Sequence, residues 1–379
     1  MKKNWVSLLI YTLLTLTLIN AACDDLDLIP KKRKKNDLPI VDGPALKLAV
    51  FPGGGVNAYT SLYLAKLFAD DTGKGVYTSF DQAWGLSGGS IVASMLMVSH
   101  KDDEAGALTA FKTTVNNSFD LVAPIIKKLK NTEQVDKDVK EDNALIPPKN
   151  KTRRGLFEEQ LNSFNLHTEQ FGNADTKKLV IIAAEFSSKK PVYYAHQSLV
   201  IPKDSLRATN TTTVTTAIIN SSNFQPGAIL NEKGGLFQIV PDALMPDNKQ
   251  YHVIDGAHVS QILDDGIVAV SANHPLGLAI DYLKKIRPNN AKEHQIVVFD
   301  NGSGPGAYAK KLNFNNGKAR IEKDGVIINV YFIAIPDPNF NDRTYDIAAT
   351  SFGDRETLVN DAVADPSTTA FYSAVNAIK

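Results

Sequence analysis

Cysteine is almost missing from this chain: Cys23 is the only one among 379 residues. No intrachain disulfide framework and no cysteine-built metal site can form, so stability has to come from a packed core. Net charge is missing too. Lys and Arg together number 41, and so do Asp and Glu. No global field points to a nucleic acid or an acidic partner. The apolar run from Trp5 to Ile19 is too short for a comfortable membrane span. Internal repeats are absent. What is present is a hydrophobic content of 43%. That suffices for one large α/β domain, or one domain with insertions.

The N-terminus reads as an export signal over residues 1–22. Lys2-Lys3 is a short positive region, the apolar run follows, and Asn20-Ala21-Ala22 supplies small residues before Cys23. The cysteine stands where a lipoprotein cysteine is acylated, although Asn20 occupies a place usually held by an aliphatic residue. The expectation is an exported protein, secreted or lipid-anchored through Cys23. Residues 23–44 form a charged linker with the basic run Lys31-Lys32-Arg33-Lys34-Lys35. It reads first as a solvated tether. The second reading is adhesion to anionic lipid headgroups, about 1 kcal/mol per basic residue.

From residue 45 the pattern becomes that of a core. Ala45 to Phe51 is a buried strand that stops at Pro52-Gly53-Gly54-Gly55, and a helical pattern runs from Thr60 to Phe68. Phe80 to Trp84 ends a second strand, then Gly85-Leu86-Ser87-Gly88-Gly89 turns into the helix Ile91 to Val98. Two strand–glycine loop–helix units in succession predict a parallel sheet with crossover helices. The expected fold is a three-layer α/β/α arrangement around a mostly parallel sheet. Residues 100–155 are rich in Lys, Asp, Asn and Thr and read as a lid or insertion. Further strands are expected at 178–184, 191–194, 295–299 and 325–335. Pro275 opens a helix at Leu276 to Lys284, proline being favoured in a first turn. The catalytic domain is placed at 45–335, with a helical extension at 336–379.

The Gly-x-Ser-x-Gly at Gly85–Gly89 is the chemically loaded stretch. Strand-to-helix context is what a nucleophile elbow needs, with Ser87 at the tip and glycines where the chain is crowded. Amides at the helix start can stabilise a developing negative charge. A serine hydroxyl needs a base, being barely ionised at neutral pH. It also needs oxyanion donors, and Gly53, Gly54 and Gly55 can turn backbone N–H groups toward one point. No Gly-Lys-Ser/Thr follows these glycines, which argues against a nucleotide phosphate loop. The base stays open on the residues alone. His274 and His294 both follow Asp265, in the chain order of a Ser-acid-His triad. The alternative is a carboxylate acting directly on the serine, at Asp265-Gly266 or Asp255-Gly256.

Taken together, Phe51-Pro52-Gly53-Gly54-Gly55-Val56-Asn57, the Gly85–Gly89 elbow, and Asp265-Gly266-Ile267 followed by Asn273-His274-Pro275 resemble the patatin-like phospholipases. The elements stand in the family's order from about residue 45 to 305. Ala217 to Gly227 and Phe299 to Gly304 are similar to two further family segments. The resemblance implies a patatin-like variant of the α/β-hydrolase architecture and a Ser-Asp dyad. Ser87 would attack a fatty-acyl ester of a phospholipid at a membrane surface, with the amides of Gly53, Gly54 and Gly55 as oxyanion hole. It implies no metal and no organic cofactor. Asp265 is preferred as the acid because the Asn-His-Pro helix follows it closely. Asp255 is the alternative, since Asp255-Gly256-Ala257 matches the local motif better. Three positions depart from the family: Pro52 replaces Asp, Asn57 replaces Arg or Lys, and Ala58 replaces Gly. Asn57 is kept as an auxiliary hydrogen-bond donor. Two other functions fit the chain: an esterase or thioesterase with a histidine base, and a non-catalytic lipid-binding relative.

Overall fold

The computed structural model describes residues 40–334, apart from 115–152, 167, 202–204, 224–240, 243–250, 264, 272, 290–291, 303–305 and 315–316, together with Thr357. The export signal, Cys23, the basic run, most of the 100–155 insertion and all of the 336–379 extension but Thr357 therefore lie outside the described residues.

The body is a ten-stranded sheet whose central strands run parallel, as two successive strand–loop–helix units predict. In chain order come β1 (Val41–Gly43), β2 (Lys47–Phe51), α1 (Ala58–Thr72), α2 (Val76–Ser79), β3 (Gln82–Leu86) and α3 (Gly88–Ser94). Next are α4 (Arg153–Asn162), β4 (Leu179–Glu185), β5 (Pro191–Ala195), β6 (Leu206–Arg207), α5 (Val214–Ser221), β7 (Pro241–Asp242) and β8 (Tyr251–Asp255). Last are α6 (Leu276–Leu283), β9 (Ile286–Pro288), β10 (His294–Phe299), α7 (Ala307–Leu312), β11 (Lys318–Lys323) and β12 (Val326–Ile333). The sheet order is β11-β12-β10-β2-β3-β4-β5-β6, with β8 pairing β4 and β7 pairing β8. The five strands from β12 to β4 are mutually parallel. β11 runs against β12, and β5 and β8 run against β4.

Side chains alternate across a strand, and here the alternation divides the core in two. Ala49, Phe51, Ala83, Ile181, Ala183, Val297 and Phe299 pack on one face with α1, α3 and α5. Leu48, Val50, Trp84, Leu86, Ile182, Ile296 and Val298 pack on the other with α6 and α7. These are the three layers expected. The central strands are buried on both faces, which is why they read as near-continuous apolar runs. Phe51 and Phe299 stack at 5.1 Å across the β2–β10 pair, with Phe68 and Phe80 set edge-on against Phe299.

One boundary differs from the expectation. Val41–Gly43, inside the stretch read as linker, forms β1 and pairs in parallel with β9. His294 reinforces that corner: its Nδ1 accepts from Leu46 N–H at 3.0 Å and its Nε2 meets the Ile286 carbonyl at 2.8 Å. A three-residue strand at a charged boundary carries no periodicity to detect.

Candidate active site

Ser87 stands between the last residue of β3 and the first turn of α3, at φ 49° and ψ −129°. That backbone region is sparsely populated by non-glycine residues and stores about 1–3 kcal/mol. The strain is held at both ends. Ser87 N–H donates to Ser221 Oγ at 2.8 Å, and Ser221 Oγ donates in turn to the Ile182 carbonyl at 2.5 Å. The Ser87 carbonyl accepts from Ser90 N–H and Ser90 Oγ. The flanking glycines are there for contact. A Cβ on Gly85 would lie 2.5 Å from the Gly89 carbonyl oxygen, and one on Gly89 would lie 2.2 Å from that of Phe51. β3, α3 and the end of β2 are thus drawn together until only hydrogen fits. The elbow expected from the sequence is present.

Asp255 meets this serine at the end of β8. β5 fills one edge of β4, through pairs that include Ala183↔Val192. On the other edge β3 pairs up to Leu86↔Ile182, and β8 takes over from Ala183↔Asp255. The ends of β3 and β8 therefore abut. Gly256 is wedged at the junction, where a Cβ would lie 2.4 Å from the Ile182 carbonyl oxygen and 3.0 Å from Leu86 Cβ. Asp255 is 1% exposed. Burial pushes its carboxyl up to about 7, while the Ala257 N–H (2.8 Å to Oδ1) and a side-chain hydrogen bond with Ser87 pull it the other way.

Asp265, preferred on the sequence, is elsewhere. Its Oδ1 caps the Ile267 N–H at 3.0 Å and its Oδ2 forms an ion pair with Lys284. Lys284 is crowded: burial, and then the ammonium groups of Lys323 and Lys311, lower its pKa. Asp265 is the counter-charge of that basic cluster. The preference for it is corrected because nearness to the Asn-His-Pro helix in sequence does not decide which aspartate meets β3. Pairing to β4 does.

Neither histidine of the triad alternative reaches Ser87. His294 is spent on Leu46 and Ile286, and burial lowers its pKa. His274 is fully buried at the start of α6, with Nε2 3.3 Å from Asp300 Oδ1 and its ring 5.5 Å from that of Phe332. Phe332 lies on β12, three strands from β3. Neither ring nitrogen of His274 hydrogen-bonds to any described residue, Ser87 included.

The glycine loop packs directly on the elbow. A Cβ on Gly53 would lie 3.0 Å from Ser87 Cβ, and one on Gly88 would lie 2.4 Å from the Gly55 carbonyl oxygen. Gly53 N–H, however, donates to the Asn273 carbonyl at 2.7 Å. It is removed from the expected oxyanion set. The amides of Gly54, Gly55 and Gly88 have no hydrogen-bond acceptor among the described residues. Asn57 is fully buried, and its N–H closes the turn on the Gly54 carbonyl at 3.0 Å.

The chain's likeness to known proteins lies in its structure. No family model matches the sequence, and no curated protein matches it. Among solved structures it is similar to human GIVD cytosolic phospholipase A2, at 11% identity and TM-score 0.46, over 88% of this chain and 60% of that one. The same human protein in complex with methyl gamma-linolenyl fluorophosphonate gives 11% identity and TM-score 0.39, over 88% and 59%. VipD from Legionella pneumophila gives 12% identity and TM-score 0.32, over 71% and 55%. The chain spans less than two thirds of the length of each.

The parts brought together are a hydroxyl on a strained turn, a buried carboxylate against it, and backbone donors beside both. Such a set can deprotonate a hydroxyl as it attacks a carbonyl and can hold the resulting oxyanion. Three contributors were not singled out as site residues from the sequence: Ser221, Asn273 and Asn301. Each lies in a segment that resembles a family segment, and that was the signal available. Their function is hydrogen bonding to backbone, which no spacing rule displays.

Proposed function

We propose that this chain is a lipid acyl hydrolase of phospholipase A or lysophospholipase type, working through a Ser87–Asp255 dyad. The observation that carries the reading is the buried Asp255 carboxylate against a serine in an elbow conformation. The substrate class rests on the ordered resemblance of the glycine loop, elbow and Asp-Gly motif to patatin-like phospholipases.

Asp255 accepts the Ser87 proton as Oγ attacks the ester carbonyl. The oxyanion is met by the N–H groups of Gly54, Gly55 and Gly88. Collapse expels the alcohol, which takes the proton back from Asp255, and leaves the acyl group on Ser87. Water then attacks the acyl-enzyme, losing a proton to Asp255, and collapse breaks the bond to Ser87, whose Oγ takes that proton from Asp255 as the fatty acid leaves. A carboxyl titrating near 7 suits this double role, because a base is most effective when its pKa lies near the working pH. The substrate is a membrane phospholipid, and the chain is exported and secreted or anchored through Cys23.

Hydrolysis of defined phospholipid vesicles by wild type and Ser87→Ala, with the released acyl chains identified, tests the proposal. Fatty acid released by wild type alone supports it. Vesicle binding without turnover by wild type contradicts it and favours a lipid-binding protein.

A further inference from the structure

The glycine loop has no side chain with which to orient itself, yet it carries two of the proposed oxyanion donors. Its order comes from outside. Gly53 is gripped on both sides: its N–H donates to the Asn273 carbonyl, and its carbonyl accepts from Asn301 Nδ2. Asn301 is fully buried. The Gly53 carbonyl and the Gly54 N–H belong to one peptide unit. A trans peptide is planar, with its C=O and N–H pointing in opposite directions. Holding the carbonyl on Asn301 therefore aims the Gly54 N–H away from Asn301, where it finds no acceptor among the described residues.

Only glycine fits there. Gly54 has φ +149°, and a Cβ on it would lie 2.4 Å from Asn301 Nδ2. The Asn301 amide occupies the space that a side chain would take. The residues next to the two anchors come near each other. Asn273 precedes His274, Asn301 follows Asp300, and His274 Nε2 approaches Asp300 Oδ1 at 3.3 Å in the interior. The loop is held by two segments, each over two hundred positions from it in sequence.

We propose that Asn301 is a positioning residue: its side-chain amide sets the Gly53–Gly54 peptide so that the Gly54 N–H meets the oxyanion. The inference rests on the Ser87–Asp255 reading. Asn301 does not touch substrate, so its effect falls on the transition state and leaves substrate binding alone.

The test compares wild type with Asn301→Leu, which removes the donor at similar size, and Asn301→Asp, which keeps the shape and replaces donor by acceptor. A soluble p-nitrophenyl ester gives kcat and KM, and a trifluoromethyl ketone reports oxyanion binding. Loss of one oxyanion donor costs on the order of 100-fold in kcat, and misalignment should approach that. The expected result is a fall in kcat of ~10–100-fold with KM little changed, and an equal fall in ketone affinity. Unchanged kcat, or a fall without matching loss of ketone affinity, overturns the inference. Should both variants fail to fold, wild-type protein labelled with ¹⁵N-glycine still decides. In the ketone adduct the Gly54 amide proton moves downfield and the Gly53 proton, bonded to Asn273, does not; the reverse overturns it. Reaction of wild-type Ser87 with a fluorophosphonate separates the two levels. An unreactive Ser87 overturns the dyad reading and this inference with it. A reactive Ser87 with unaffected Asn301 variants overturns this inference alone.

Discussion

Asp255 reaches Ser87 because β3 and β8 stop at adjacent residues of the same strand, Leu86 opposite Ile182 and Asp255 opposite Ala183. The hydroxyl follows one strand end and the carboxylate closes the other. Asp265, ten residues further on, is held by Lys284.

The two aspartates should therefore separate cleanly on substitution. Asp255→Asn is expected to lose roughly 1,000-fold or more in kcat, the scale seen when a serine nucleophile loses its base. Asp265→Asn is expected to keep kcat and to lose about 1–3 kcal/mol of stability, because it strips the partner from a half-buried lysine. Steady-state kinetics and urea unfolding on both variants check this. A Ser87→Ala/Asp255→Asn double variant should be little worse than Ser87→Ala, since residues acting as a unit are not additive.

The pH profile follows from the raised Asp255 pKa. A base must be ionised, so kcat/KM should rise with pH through a midpoint near 7. Stability runs the opposite way. The folded carboxyl holds its proton more tightly than the unfolded one, whose value is 3.8. Its stabilising contribution is full below that value and is lost as pH rises through about 7. Asp255→Asn should thus be more stable than wild type above neutrality, by up to about 4 kcal/mol, with the gap closing toward pH 4. Urea titrations of both proteins at pH 5 and pH 8.5 measure the gap.

The elbow glycines should tolerate no methyl group. Gly89→Ala places Cβ against the carbonyl oxygens of Phe51 and Pro52, at 2.2 and 2.5 Å, and backbone cannot step aside. A loss of about 3 kcal/mol or more, or insoluble expression, is expected. Gly55→Ala meets nothing within 4 Å and is strained only by its φ of +55°. It should cost about 1–2 kcal/mol. Thermal unfolding of the two variants distinguishes contact from strain.

His294 is expected to be structural. His294→Ala removes the Leu46 and Ile286 hydrogen bonds and should cost about 1–3 kcal/mol without lowering kcat. Its pKa is depressed by burial, so its stabilising contribution is present above the ordinary histidine value of 6.5 and is lost as pH falls below it. Loss of turnover in a folded His294→Ala protein would restore the triad alternative.

Much of this arrangement was legible in the chain. Apolar runs ending in glycine located β2, β3 and the elbow, because doubly buried parallel strands and tight turns leave strong compositional traces. The place of Ser87 at the tip of that turn was legible for the same reason. The choice between Asp255 and Asp265 was not. Both close an apolar run on Asp-Gly, and only the antiparallel docking of β8 on β4 separates them. The oxyanion loop was half legible. Three glycines announce a bare backbone, but the Gly53 amide is occupied by a carbonyl from residue 273, over two hundred positions away. Asn301 was hidden likewise, its value lying in one contact with a carbonyl that sequence does not show.

The central claim is that Asp255 activates Ser87. Its most direct measurement is the rate at which a fluorophosphonate labels Ser87, read by mass spectrometry of the modified peptide, in wild type, Asp255→Asn and Asp265→Asn as pH is varied. The account predicts labelling of wild type and Asp265→Asn that rises through about pH 7, and labelling of Asp255→Asn that is slower by orders of magnitude and flat across that range. Full, pH-dependent labelling of Asp255→Asn, with Asp265→Asn inert, would contradict it.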